Sequence, residues 1–374
     1  MGWFFSFLLL SQTEEFILLK YLNFFLLALS VLFYSNIAQA AINSTSYNWN
    51  TQLPAFTYAK VKTVATGPTL IFSDSPEMVP STGIMYQDTV SGAVRLFFHH
   101  VNDTPTPKRI AIILENPKLA KLTLKINKQA LSKPNLDYLA AGKEVQEKYF
   151  SKHQELSLTL NPLQKYELLS HNQNGIVFQS QELVHGMYEL QTDGPVTVKV
   201  ICLPLYDQAS IYADIAKILP PDDQFLRGTF PLADRQVTLE KPYNPKKDGV
   251  IAVILADNKQ DAFARGFDPT INKPAINYGN YGVIYNLNYR SEIAEIPFAI
   301  RLNSYGGSLS GHVVLENNAS ITDVAIPQVG FEFGKTWYET IPLASYKNNN
   351  SGKIIFSPPG AGNLPVRFFF YPEK

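Results

Sequence analysis

The run Asn277-Tyr278-Gly279-Asn280-Tyr281-Gly282 is the segment of this sequence best equipped to recognise a ligand. It repeats a planar amide, an aromatic ring and a residue free to turn. Ring faces stack on the C–H surfaces of sugars, and amides hydrogen-bond hydroxyls. Trp337-Tyr338 offers a second aromatic platform. One expectation is therefore a carbohydrate-binding face built from Asn277, Tyr278, Asn280, Tyr281, Trp337 and Tyr338. The competing reading is a tight turn whose tyrosines pack on a sheet.

Other reactive residues form weaker patterns. Six histidines occur, at 99, 100, 153, 171, 185 and 312. His99 and His100 are adjacent in a strand-like run, so they face opposite sides and do not converge on one metal. A transition-metal site needs three or four converging ligands, and no His-x-His or His-Glu-x-x-His is present. Asp257, Asn258 and Asp261 carry calcium-type oxygens, but their spacing is not that of a helical calcium loop. They read as a solvated turn. Gly306-Gly307-Ser308-Leu309-Ser310-Gly311 does not match the Gly-x-Ser-x-Gly nucleophile elbow and reads as a glycine-rich hairpin turn. Phosphate loops and dinucleotide fingerprints are absent. No catalytic residue, cofactor or metal is expected on these grounds. Cys202, the lone cysteine, lies in Val198-Lys199-Val200-Ile201-Cys202-Leu203 and reads as a buried strand residue. Arg227 and Asp234 are expected to pair as a clamp.

These residues need elements to hold them, and composition indicates strands. Of 374 residues, 20 are Tyr and 24 are Phe, types that pack well on a pleated, half-buried surface. The 32 basic and 32 acidic residues cancel, so no long-range field draws in nucleic acid or an anionic membrane. Alternation at Leu122–Asn127 and Leu156–Leu160, and continuous apolar runs at Arg109–Glu115 and Gly249–Ala256, predict strands. Gly83–Thr89 with Ala93–Val101, and Gly186–Leu190 with Val196–Leu203, predict two hairpins turning at Val90-Ser91-Gly92 and Asp193-Gly194. Leu136–Lys148 has helical spacing behind a capping Asn135, and Asp207–Leu219 predicts a linker helix.

The fold class expected is mainly β. It comprises two antiparallel β-sandwich domains, immunoglobulin-like or jelly-roll-like, with a short helical insertion and a linker helix. The divisions are a signal peptide at 1–40, a polar leader at 41–64, a first sandwich at 65–206, the linker helix at 207–223 and a second sandwich at 224–374. Leu22–Tyr34 is an apolar run after Lys20, and Ala38-Gln39-Ala40 fits signal-peptidase cleavage. Glu14-Glu15 are unusual upstream of such a run, and a start near Ile17–Leu19 would give an ordinary signal peptide. No lipobox cysteine, sorting tail or second long apolar segment is visible. The expected location is extracellular, cell-surface or periplasmic, without a stable membrane span after cleavage. Asn43, Asn102, Asn318 and Asn349 fit Asn-x-Ser/Thr, a pattern of exposed sites.

At Arg227-Gly228-Thr229-Phe230-Pro231 and again at Asn277–Gly282, the chain resembles uncharacterised exported β-rich proteins of Gram-positive-type bacteria. Some of those carry a copper-amine-oxidase-like N-terminal domain. The resemblance implies a secreted or envelope location. It carries over no oxidase residue, because the Asn-Tyr pairs lack a His-x-His companion. The functional expectation is an exported, non-enzymatic protein that binds a glycan or envelope component or has a structural role there. The alternative is a carbohydrate-binding protein or carbohydrate-active enzyme using an aromatic face of the second sandwich.

Overall fold

Two strands of unusual length organise the first half of the molecule. Gly83–Asn102 runs 20 residues and Leu183–Leu203 runs 21, and they pair antiparallel along nearly their whole lengths. The computed structural model describes residues 49–169, 175–317, 320–330, 332–347 and 351–373. All of them fall within one compact unit, Ser46–Lys374. The signal-peptide reading, Asn43, His171, Asn318 and Asn349 lie outside the described residues.

The protein is mainly β, with three helices among the described residues. Where hairpins were expected, each long strand continues. Gly92 pairs with Thr192, and the register slips between Thr192 and Val196 and again between Val200 and Ile201. Such bulges bend a strand and strengthen its twist without ending it. The bent pair therefore serves two partners. Its Gly186–Thr192 part takes Leu122–Leu131, and its Thr197–Leu203 part takes Lys108–Glu115. Ile112, Leu114, Leu124, Ile126, Val198, Val200 and Cys202 fill the enclosed core. Cys202 is buried, and that burial pushes its thiol up to about 12.

The second half is a sandwich of two sheets. One has the order Thr57–Tyr58, Ile251–Leu255, Val366–Pro372, Phe298–Asn303, Thr340–Tyr346. The other runs Val61–Thr66, Asp234–Leu239, Tyr285–Arg290, Ser351–Phe356, Gly311–Asn317, Ile321–Ile326. Alternate residues point inward, as the pleat requires. Phe368 and Phe370 join Leu287, Tyr289, Val313 and Phe356 in the core between the sheets. Phe369 and Tyr371 point out and are covered by Trp49 and Phe56, whose rings lie 5.0–5.5 Å away. Most pairings are antiparallel, but Thr57–Tyr58 with Ile251–Ala252, Thr69–Ser73 with Val94–Phe98, Met78–Val79 with Val101–Asn102 and Arg235–Thr238 with Tyr285–Asn288 are parallel.

Residues read as a polar leader thus form strands. Thr57–Tyr58 pairs with Ile251–Ala252 and Val61–Thr66 with Asp234–Leu239, while the expected strand Thr69–Ser73 pairs with Arg227–Phe230. A third core lies among these crossings. It contains Phe72, Phe97, Phe230, Ile284, Met187, and Val145 and Tyr149 of the helix Tyr138–Phe150. That helix is capped by Asp137, whose carboxylate accepts from Ala140 N, rather than by Asn135. The linker helix spans Ala209–Ile215. No helix among the described residues is long and apolar enough to cross a membrane.

Two buried arginines tie this joint, and the expected Arg227–Asp234 pair is not formed. Arg227 donates to Asp268, to Thr270 and to the carbonyls of Ser75, Met85 and Leu219. Asp234 instead receives Arg95, which also donates to Glu189, Tyr149 and Gly282 O. The fork of donors on each guanidinium is thereby matched by acceptors, which a buried charge requires. Asn102 is buried as well, its amide donating to Thr106 O and Phe178 O, so its sequon is not an exposed one.

Candidate functional site

The Asn277–Gly282 turn is built by its own amides. Asn277 accepts from Tyr281 N through Oδ1 (2.9 Å) and donates to Tyr281 O through Nδ2 (2.8 Å). Asn280 accepts from Ala264 N (2.7 Å) and donates to Tyr285 Oη (2.7 Å). Both amides are fully buried and spent on the protein, so neither is available to a ligand. Gly279, Asn280 and Gly282 take positive φ, the left-handed region that Gly and Asn tolerate best. The turn reading and the aromatic reading are therefore both partly realised. The amides shape the turn, and the turn presents a ring.

That ring is Tyr278, which is 50% exposed. Phe263 meets it edge to face at 5.8 Å. Tyr281 is half-buried, stacked near Phe72 at 6.4 Å, with its hydroxyl donating to Gly362 O (3.0 Å). Together with Ala256, Asp257, Ser308 and the loop Ala361–Pro365, these residues line an open hollow of about 590 Å³. The far wall is pinned by Asn363: its N–H donates to Ser308 O (2.7 Å) and its side-chain amide to Ser304 O (2.9 Å). Ala256 and Ala361, both lining the hollow, have positive φ at 58° and 62°. For alanine this conformation is strained, and such strain persists where surrounding structure enforces it, often at binding sites.

Trp337 and Tyr338 do not line this hollow. Trp337 is 58% exposed and packs edge to face on Tyr338 at 5.9 Å. Its carbonyl accepts from Asn303 and Arg367, and the Arg367 guanidinium lies 4.2 Å from the Tyr305 ring centre. The six expected residues thus separate into two buried amides, two rings at the hollow and an aromatic pair elsewhere.

Ser308 lies between strands of different sheets, Phe298–Asn303 and Gly311–Asn317, so its loop is a crossover and not a hairpin. Its hydroxyl donates to Glu332. Asp257 caps its turn by accepting from the N–H groups of Lys259, Gln260 and Asp261 through Oδ1. Asp261 is buried rather than solvated, accepting from Ala256 N and Tyr285 Oη.

Behind the far wall lies a buried histidine group. Gly360 is wedged between His99 and the helix: a Cβ on Gly360 would stand 2.4 Å from His99 Nδ1, and one on Gly142 would stand 2.3 Å from Gly360 O. His185 meets His99 edge to face with ring centres 5.2 Å apart, and its Nδ1 donates to Phe98 O (2.8 Å). His100 faces the other way, contacting Ser73 Oγ and Pro76 O. Burial lowers His100 and His185 to about 4 and holds His99 well below its ordinary value. Burial, then Glu77 and Asp222, raises Asp74 well above its ordinary value. No three His, Cys, Asp or Glu side chains are grouped to hold a metal among the described residues.

Sequence reasoning missed Phe263 and Asn363 as lining residues. The one available signal was Pro358-Pro359-Gly360-Ala361-Gly362-Asn363-Leu364-Pro365, which marks a rigid loop without saying what it faces.

No family model matches the chain, and no curated protein matches it. Among solved structures, the chain is similar to the CUB1-EGF-CUB2 region of human MASP-1/3, at 8% identity and TM-score 0.20, over 74% of this chain and 99% of that one. It is similar to the same region of rat MASP-1 at 6% identity and TM-score 0.20, over 85% and 99%. It is also similar to oxalate decarboxylase of Lactobacillus farciminis at 10% identity and TM-score 0.13, over 83% and 87%. Likenesses at this level carry no functional argument.

Proposed function

We propose that this is an exported, non-enzymatic binding protein whose ligand is a saccharide, held in the hollow between the Asn277–Gly282 turn and the Ala361–Pro365 loop. The observation that carries this reading is Tyr278, a half-exposed ring fixed by a turn whose two amides are buried. A preset ring loses little freedom on binding. Phe263 and Tyr281 extend the apolar wall, while Asp257, Ser308 and Asn363 place polar groups around it. Aromatic rings beside a few convergent polar groups are features common to ligand sites. Within the lining, Asp257 has no second carboxylate facing it, whereas glycoside hydrolysis works with a pair. Export rests on Lys20–Ala40.

A glycan array with the mature protein tests the reading, followed by calorimetry on the best ligand. Tyr278→Ala is expected to weaken binding by about 3- to 30-fold, the range of a single aromatic contact, while Trp337→Ala leaves it unchanged. Saccharide binding that ignores Tyr278→Ala would move the site elsewhere.

A further inference from the structure

The charge of the hollow is one-sided. Among the described residues Asp257 is the only charged one lining it, and no Lys, Arg or His does so. Asp257 Oδ1 is occupied by three backbone N–H groups, and Oδ2 has no hydrogen-bond partner among the described residues. Behind the lining the sign is the same. Glu332 stands behind Ser308, offset only by the exposed Lys335 at 3.6 Å. The aromatic faces add to this, since a π face attracts positive charge.

Resting on the saccharide reading above, we infer that the hollow selects a saccharide bearing a free ammonium group, a 2-amino-2-deoxy sugar unit, with the ammonium against Asp257 and the ring's C–H face on Tyr278. A neutral hydroxyl or acetamido group at that place gains only an ordinary hydrogen bond. An ammonium gains a charge-assisted one, about twice as strong. An anionic sugar meets Asp257 with nothing to compensate it.

Calorimetry on the mature protein tests this with three probes: a glucosamine tetrasaccharide, its fully N-acetylated counterpart and cellotetraose, at pH 6 and low salt. The amine form is expected to bind about tenfold more tightly than either neutral form, the value of one charge-assisted contact. In Asp257→Asn, whose amide oxygen still caps the turn, that preference is expected to vanish while neutral binding persists. Raising the salt on the unmodified protein is expected to erode the preference selectively, a readout independent of the variant's folding. Equal or weaker binding of the amine form, or a preference that survives both Asp257→Asn and high salt, overturns the inference and leaves the saccharide reading standing. Failure of all three probes, with no other hit on the array, overturns both.

Discussion

Arg95 and Asp234 grip each other across the joint of the molecule, two Nη groups of the guanidinium donating to the two carboxylate oxygens. One residue sits in the long strand Gly83–Asn102 and the other opens the strand Asp234–Leu239 of the two-sheet sandwich. Asp234 also accepts from Ile284 N, two residues past Gly282, whose carbonyl takes another Arg95 donor. Burial alone would raise Glu189, yet Arg95 and the Tyr149 hydroxyl hold it below its ordinary value.

Breaking this pair leaves a buried charge. Arg95→Met and Asp234→Asn should each cost about 3–5 kcal/mol in urea unfolding. The double variant should cost less than their sum by more than about 0.5 kcal/mol, the mark of direct coupling. Additive losses would show that the two residues act separately.

Asn280→Ala separates structural from ligand roles in the aromatic turn. It deprives Ala264 N and Tyr285 Oη of a partner, each buried. We expect a loss of about 1–3 kcal/mol in stability, measured without any ligand. Tyr278→Ala, by contrast, should leave the melting temperature within about a degree or two, as exposed sites do.

Gly142 tests the wedge behind the hollow. In an exposed helix, Gly→Ala gains about 1 kcal/mol. Here the new methyl group would meet Gly360 O at 2.3 Å. Gly142→Ala should therefore destabilise the fold by about 1–3 kcal/mol, as overpacking does, and shift the neighbouring Ala361 wall enough to weaken saccharide binding. A stabilised variant would show that the helix and loop yield freely.

His185 sets a pH dependence whose sign follows from burial. Its folded value is about 4 against 6.5 in the unfolded chain. As pH falls from about 6.5, the unfolded chain takes up the proton first, so stability drops until about pH 4. Full titration contributes about 1.4 kcal/mol per pH unit. Asp74 acts oppositely, because its raised value means stability is lost as pH rises from its ordinary value toward its raised one. The clean readout is the difference between His185→Asn and the unmodified protein. Asn keeps a donor for Phe98 O, and its stability should fall less steeply between pH 6 and 5. Identical slopes would mean that His185 is protonated in the folded state.

Fold class was legible because Tyr, Phe and β-branched residues alternate along most strands. Leu122–Leu131 shows why: alternate residues from Leu122 to Asn127 are buried and exposed. Gly92 and Gly194 misled because a glycine that bends a paired strand has the same sequence signature as one that turns a hairpin. Val61–Thr66 was illegible for another reason. Its residues are mostly exposed, so no apolar face marks it, and only its partner Asp234–Leu239 makes it a strand. At the site, Tyr278 and Tyr281 stood out by repetition. Nothing local could show that their amides are buried, or that a loop some eighty residues later closes the hollow.

The strand Val366–Pro372 lies between Ile251–Leu255 and Phe298–Asn303, inside its sheet rather than at an edge. Its neighbours have no ladder to each other until it arrives. Because Thr57–Tyr58 also joins this sheet, the sheet draws on both the earliest and the latest described strands. Such distant pairings make assembly slow. Synthesis from the N-terminus would present a sandwich with its middle missing until Val366–Pro372 is made, so closure of this sheet is a late event.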